Sequence, residues 1–128
     1  MGKTNTNREF FKRVSSSGMG TAAVAGDWVA SAGFGSTAAV TFTGTANDMR
    51  GSVTVTCGGT GQGASPTLTW TFADGAWDEA PTIVTNRCNA TQPTIPFTVT
   101  TTTTAAVFTF RGTASGSEAY TFFYQVMG

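Results

Sequence analysis

Apolar and hydroxyl side chains alternate one for one along most of this chain. In PTLTWTF, Leu68, Trp70 and Phe72 fall on one side, and Thr67, Thr69 and Thr71 on the other. GSVTVTC repeats the pattern with Val53, Val55 and Cys57 against Thr54 and Thr56, and STAAVTFTG with Val40 and Phe42 against Thr41 and Thr43. A period of two places alternate side chains on opposite faces of a pleated strand, one face dry and one wet. PTIVTNRC, PFTVTTTT, AAVFTFRG and AYTFFYQV continue the series. The gaps between them, GTANDMRG, GGTGQGASP, ADGAWDEAP, NATQP and GTASGSEA, are rich in the residues that make turns. The pattern predicts an all-β domain, an antiparallel β-sandwich or jelly roll of seven to eight strands.

Two segments depart from the simple alternation. Thr101 to Thr104 form an unbroken hydroxyl run, which suits an edge or exposed strand. In AYTFFYQV, Phe122 and Tyr124 share one face while Phe123 takes the other, so both faces carry aromatic side chains. Such a strand is either central to the core or packed against a neighbouring subunit.

Composition agrees with strands and excludes a helical protein. Threonine supplies 26 of 128 residues, leucine appears once and isoleucine twice. A chain of this length holds one core, so a single domain is expected. Only 11% of residues are charged and the formal net charge is zero. That argues against a nucleic-acid partner held by a basic surface. The zero conceals an asymmetry. Residues 1–13 carry Lys3, Arg8, Lys12 and Arg13 against Glu9, a net +3, and the remaining 115 residues carry a net −3. The expected division is an extended N-terminal anchoring arm over residues 1–25 and a sandwich over residues 26–128. In the arm, Arg8, Phe10, Phe11, Lys12, Arg13 and Val14 combine apolar hooks with positive charge and are the candidate partner-binding residues. No secretory signal or membrane-spanning run is visible, so no membrane partner is expected.

Candidate chemistry is sparse. Without histidine there is no Ser-His-Asp triad, no Cys-His pair and no imidazole metal ligand. Cys57 and Cys88 each follow a strand, leaving open a disulfide or two unpaired thiols. The loop FADGAWDEAP sets Asp74, Asp78 and Glu79 around Trp77. That grouping admits a calcium loop, a carboxylate pair for sugar hydrolysis, a glycan contact, or a solvated turn with Trp77 folded back on the sandwich edge. Its spacing departs from the D-x-[DN]-x-[DN]-G calcium pattern. The loop GGTGQG leads into another strand rather than a helix, so it reads as a hairpin loop and not a phosphate cradle. No enzymatic activity, cofactor or metal is expected.

The stretches GFGSTAAVTFTGTANDMRGSVTVTCGGTG, ASPTLTWTFADGAW, APTIV and FTFRGTASGSEAYTFFYQVMG carry a family likeness. From near Gly26 onward the chain resembles a β-sandwich domain that recurs in tailed-bacteriophage virion proteins. The resemblance covers about a hundred residues and rests on turn-and-strand signatures rather than catalytic ones. It implies a virion structural role, commonly as a trimer, and leaves capsid and tail both open. The expected function is a capsid decoration (cement) or head-fibre protein docking on the major capsid protein through its arm. The alternatives are a tail-fibre tip recognising host-surface glycan through Asp74, Trp77 and Asp78, or another minor tail component. Assembly in the host cytoplasm, without a signal peptide, goes with either reading.

Overall fold

The computed structural model describes residues 21–43, 46–87 and 95–128. Among these residues a 3-10 turn, Ala25–Asp27, leads into eight strands: β1 (Trp28–Ala30), β2 (Ala39–Thr43), β3 (Arg50–Thr56), β4 (Thr67–Thr71), β5 (Thr82–Arg87), β6 (Phe97–Thr101), β7 (Ala105–Phe110) and β8 (Ala119–Met127). They form two four-stranded antiparallel sheets, ordered β1-β4-β7-β6 and β2-β3-β8-β5. Only β2–β3 and β6–β7 join neighbours within a sheet; the other connections change sheets. The architecture is a β-sandwich, as the alternation predicts. β6 is an edge strand, but the threonine run does not continue it: only Thr101 is in the strand, and residues 102–104 make the turn into β7. β8 is an inner strand of its sheet.

Register follows from the pattern, because a slip by one residue would turn every aromatic side chain to water. Val53 and Val55 lie opposite Phe122 and Tyr120, while Leu68 and Trp70 lie opposite Phe108 and Ala106. All of these side chains are buried between the sheets. Ala106 is small where Trp70 is large, which leaves room for the indole over the neighbouring strand. On β8, an inner strand of its sheet, Phe122 and Tyr124 point into the core, while Phe123 points outward and is exposed.

The core is aromatic and its rings touch in sequence across both sheets. Trp28 stacks on Trp70 with centroids 4.6 Å apart and planes 9° from parallel. Tyr124 of the opposite sheet meets Trp28 at 5.4 Å and Trp70 at 4.7 Å. Phe108, Phe122, Phe97 and Phe110 continue the chain of contacts at 5.1 to 5.9 Å. Each such ring removes about 150–250 Å² from water, and a well-oriented pair adds about 0.5–1.5 kcal/mol beyond that burial.

Glycine makes room where the packing is closest. A Cβ on Gly51 would sit 2.7 Å from both the Ala46 Cβ and the Tyr124 hydroxyl. A methyl group there has nowhere to go without displacing the Tyr124 ring. Gly26 is the control, since nothing lies within 4 Å of its Cβ position. Urea denaturation should show Gly51→Ala destabilised by about 1–3 kcal/mol, the usual cost of overpacking, and Gly26→Ala changed by less than about 0.5 kcal/mol. Equal stability for the two variants would contradict this packing.

Candidate functional site

The sandwich has two chemically different ends. One is built from residues 21–27, the β2–β3 and β4–β5 connections, the short β6–β7 turn and Gly128. The other is built from the β1–β2, β3–β4 and β7–β8 connections. Thr21 and Gly128 both lie at the first end. The Thr21 N–H donates to Asp74 Oδ1 at 3.3 Å, and the Ala23 N–H to the Ala46 carbonyl at 2.8 Å. Residues 21–25, assigned to the arm from sequence, are thus bonded to the sandwich. Gly128 lies against Trp77, where a Cβ would come within 2.1 Å of the indole ring.

Asn47 and Asp48 organise this end. Asn47 Oδ1 accepts the N–H groups of Met49 and Arg50 at 2.9 and 3.1 Å, which turns the backbone into β3. The Asn47 carbonyl accepts the buried Tyr124 hydroxyl at 2.7 Å. Asp48 Oδ2 accepts the Asp74 N–H at 2.6 Å and so ties the β2–β3 connection to the β4–β5 loop. Burial pushes the Asp48 carboxyl above its ordinary pKa, and the nearby Asp74 and Asp27 carboxylates add to the rise. The backbone N–H groups of Asp74 and Ala73 work against it. Burial likewise raises the Tyr124 phenol, helped by the charge on Asp48, so it remains a proton donor at neutral pH.

Charge is segregated to this end. Asp27, Asp48, Asp74, Asp78 and Glu79 all lie here, faced by Arg50 alone among the described basic side chains. Glu118 is the only described carboxylate at the far end, where it follows Ser117. No group of three or more His, Cys, Asp or Glu side chains among the described residues is disposed to hold a metal ion.

Trp77 requires a correction. The glycan reading needs its ring as an exposed platform, yet Trp77 is only 6% exposed and packs edge-on to Phe72 at 6.2 Å. Its N–H donates to the Thr103 carbonyl at 2.8 Å through the backbone, which pulls the acidic loop onto the sandwich. The alternative in which Trp77 folds back on the edge describes the structure. Asp74 and Asp78 remain exposed, but Asp74 is engaged with the Thr21 N–H.

The far end is uncharged at its centre and tightly built. The Gly58 N–H donates to the Phe34 carbonyl at 3.0 Å, and the Ser36 N–H to the Thr60 carbonyl at 3.0 Å. The Gln62 side-chain amide donates to the Gly58 carbonyl. Among the described residues, the three non-glycine positions with positive φ, Thr37 (66°), Ser65 (52°) and Ser117 (61°), all fall here. Cys57 is a free, buried thiol whose pKa rises through burial and the Glu118 charge. Cys88 and the candidate arm residues Arg8, Phe10, Phe11, Lys12, Arg13 and Val14 lie outside the described residues. Among those described, no helix is long and apolar enough to cross a membrane.

Comparisons with protein-family models, curated proteins and solved structures find no match to this chain.

The buried carboxyl gives a pH test. A folded pKa raised above the unfolded one means that the fold disfavours ionised Asp48. The resulting penalty is full above the folded pKa and disappears as pH falls below the unfolded one. Asp48→Asn keeps an oxygen for the Asp74 N–H and removes the penalty. Thermal melts should therefore place Asp48→Asn above the parent protein at pH 7, with the gap closing towards pH 3. A gap that widens on acidification would show that the carboxylate charge stabilises the fold.

Proposed function

We propose that this chain is a structural protein of a tailed-bacteriophage particle, a capsid decoration or head-fibre protein held to the major capsid protein by its N-terminal arm. One observation carries the reading: Thr21, the first described residue after the arm, is bonded to Asp74 at the acidic end of the sandwich. A domain tethered in this way presents its opposite end outward. That outward end is the well-braced loop cluster around Phe34, Gly58 and Gln62. The arm brings positive charge and two adjacent phenylalanines, Phe10 and Phe11, which suit an apolar, acidic groove on a partner. The resemblance to virion sandwich domains supports the same role and a homotrimeric state. The proposed role is architectural, with no reaction, cofactor, nucleic acid or membrane involved.

A receptor-binding tip is the second reading, favoured by the Ser, Thr and Gln side chains displayed at the far end. It loses the Trp77 platform, so glycan would have to be held by hydroxyl and amide groups alone.

Quantitative mass spectrometry of purified particles, measured against the major capsid protein, separates these readings. Hundreds of copies are expected for a decoration protein. A handful would move the chain to the tail or a fibre tip, and none would end the virion reading. The double variant Phe10→Ala/Phe11→Ala should keep its melting temperature and lose particle association. Unchanged association by that variant would remove the arm from the docking.

A further inference from the structure

Asp74 and Gly75 are the chain's one pair in which an Asp or Asn is followed by glycine. Such a pair can close on itself, the glycine nitrogen attacking the neighbouring carboxyl carbon to form a five-membered imide. Glycine eases that attack because no side chain crowds its nitrogen and its backbone turns freely. Here the pair stands in the β4–β5 loop, with Asp74, Gly75 and Ala76 all exposed. Gly75 has a φ of 93°, a Cβ on it would meet nothing within 4 Å, and its N–H donates to no described residue. The nitrogen is unencumbered and its peptide plane has room to swing.

The other described Asp and Asn residues lack this freedom. The Trp28 N–H, next after Asp27, donates to the Ala25 carbonyl, and the Met49 N–H, next after Asp48, donates to Asn47 Oδ1. Asn47 is buried, and its Oδ1 is held by two backbone N–H groups. Asn86 lies within β5, paired with Phe123. Asp78 is exposed, but Glu79 sets a side chain beside the attacking nitrogen.

We propose that Asp74 is a site of spontaneous isomerisation to isoaspartate, and that this change unfastens Thr21 from the sandwich. The reaction balances with water alone. The Gly75 nitrogen bonds to Asp74 Cγ, and its proton leaves with the carboxyl hydroxyl as water. Water then adds at the Asp74 main-chain carbonyl and breaks the bond from that carbon to nitrogen, leaving the backbone running through Cγ. The backbone gains one methylene, and the free carboxyl is now attached directly to Cα. The loop cannot spread the added length, because its ends are pinned. The Phe72 N–H donates to the Thr104 carbonyl at 3.0 Å, and the Trp77 N–H to the Thr103 carbonyl at 2.8 Å. The change therefore falls on residues 73–76, where Asp74 Oδ1 accepts the Thr21 N–H and the Asp74 N–H reaches Asp48. The shortened carboxyl withdraws from Thr21, while the strands keep their ladders.

Prolonged incubation of the full chain in heavy-oxygen water, followed by digestion and fragment-resolved mass spectrometry, tests this. Isoaspartate carrying the heavy oxygen is expected at Asp74 and not at Asp27, Asp48 or Asp78. Asp74→Asn, which keeps the shape of the side chain, should pass through the same imide faster, with ammonia leaving in place of water. Asp74→Glu, whose ring would need six members, should give no isomer. In the isomerised fraction, hydrogen exchange should quicken at Thr21 and Ala23 and stay unchanged in β3 and β8. Absence of isoaspartate at Asp74 from the folded chain would overturn the proposal, whether or not the urea-unfolded chain forms it. So would an Asp74→Asn variant as durable as the parent. Isoaspartate with unchanged exchange at Thr21 and Ala23 would overturn the unfastening.

Discussion

Trp28 lying flat on Trp70 is the contact on which the rest of this sandwich depends. β1 has only three residues, too few for its ladder to β4 to hold it firmly. The stacked indoles anchor it, and Phe42 of the opposite sheet closes over Trp28 edge-on at 5.9 Å. Tyr124 then leans on both indoles and passes its hydroxyl over Gly51 to the Asn47 carbonyl. One aromatic stack thereby fixes an edge strand, the separation of the sheets and the turn into β3. The acidic end is assembled on that turn: Asp48 reaches Asp74, and Asp74 holds Thr21. Loosening the indole stack would release the point at which the chain enters the domain.

Local chemistry made the strands legible and long-range contacts decided the remainder. Leu68, Trp70 and Phe72 against three threonines leave little choice of strand position or facing, whereas the hydroxyl run, expected as strand, turns after Thr101 because the Thr102 hydroxyl accepts the N–H groups of Thr104 and Ala105. Strand order was beyond reach because it depends on which connections change sheets, and turn composition does not encode that. Trp77 is ambiguous in the sequence for a similar reason. Among Asp74, Asp78 and Glu79 it admits both an exposed glycan platform and a ring folded back on the edge, and what decides for the second is contact with Phe72 and with Gly128, fifty-one positions along. TAAVA before Gly26 looks like linker, yet Ala23 is bonded to Ala46. Asp48 sits in a turn-like segment, and nothing in its neighbours signals a carboxyl buried beside a backbone N–H.

Hydroxyl groups do much of the surface work that charge performs in most proteins. Thr54 and Thr121, opposite each other on β3 and β8, share a hydrogen bond at 2.7 Å on the outer face of their sheet. The Thr102 hydroxyl accepts the Ala105 N–H at 3.1 Å and helps form the β6–β7 turn. Outward threonines favour the pleated backbone and stay hydrated without adding long-range fields. A chain built this way can concentrate its few carboxylates at one end and leave the other nearly neutral.

That segregation has a mechanical counterpart. At the far end, connections are locked by close backbone approach. A Cβ on Gly58 would fall 1.7 Å from the Ser36 carbonyl oxygen, so only glycine lets the β1–β2 and β3–β4 loops meet. At the acidic end, the links run through side chains and a buried carboxyl, and are sensitive to pH and substitution. A tether attached there carries its load into the Trp28–Trp70–Tyr124 stack through Asp74, Asp48 and Asn47. The loop end lies outside that path. Attachment can therefore be tuned at one end of the domain while the other keeps its shape, a division that suits a domain held by an arm.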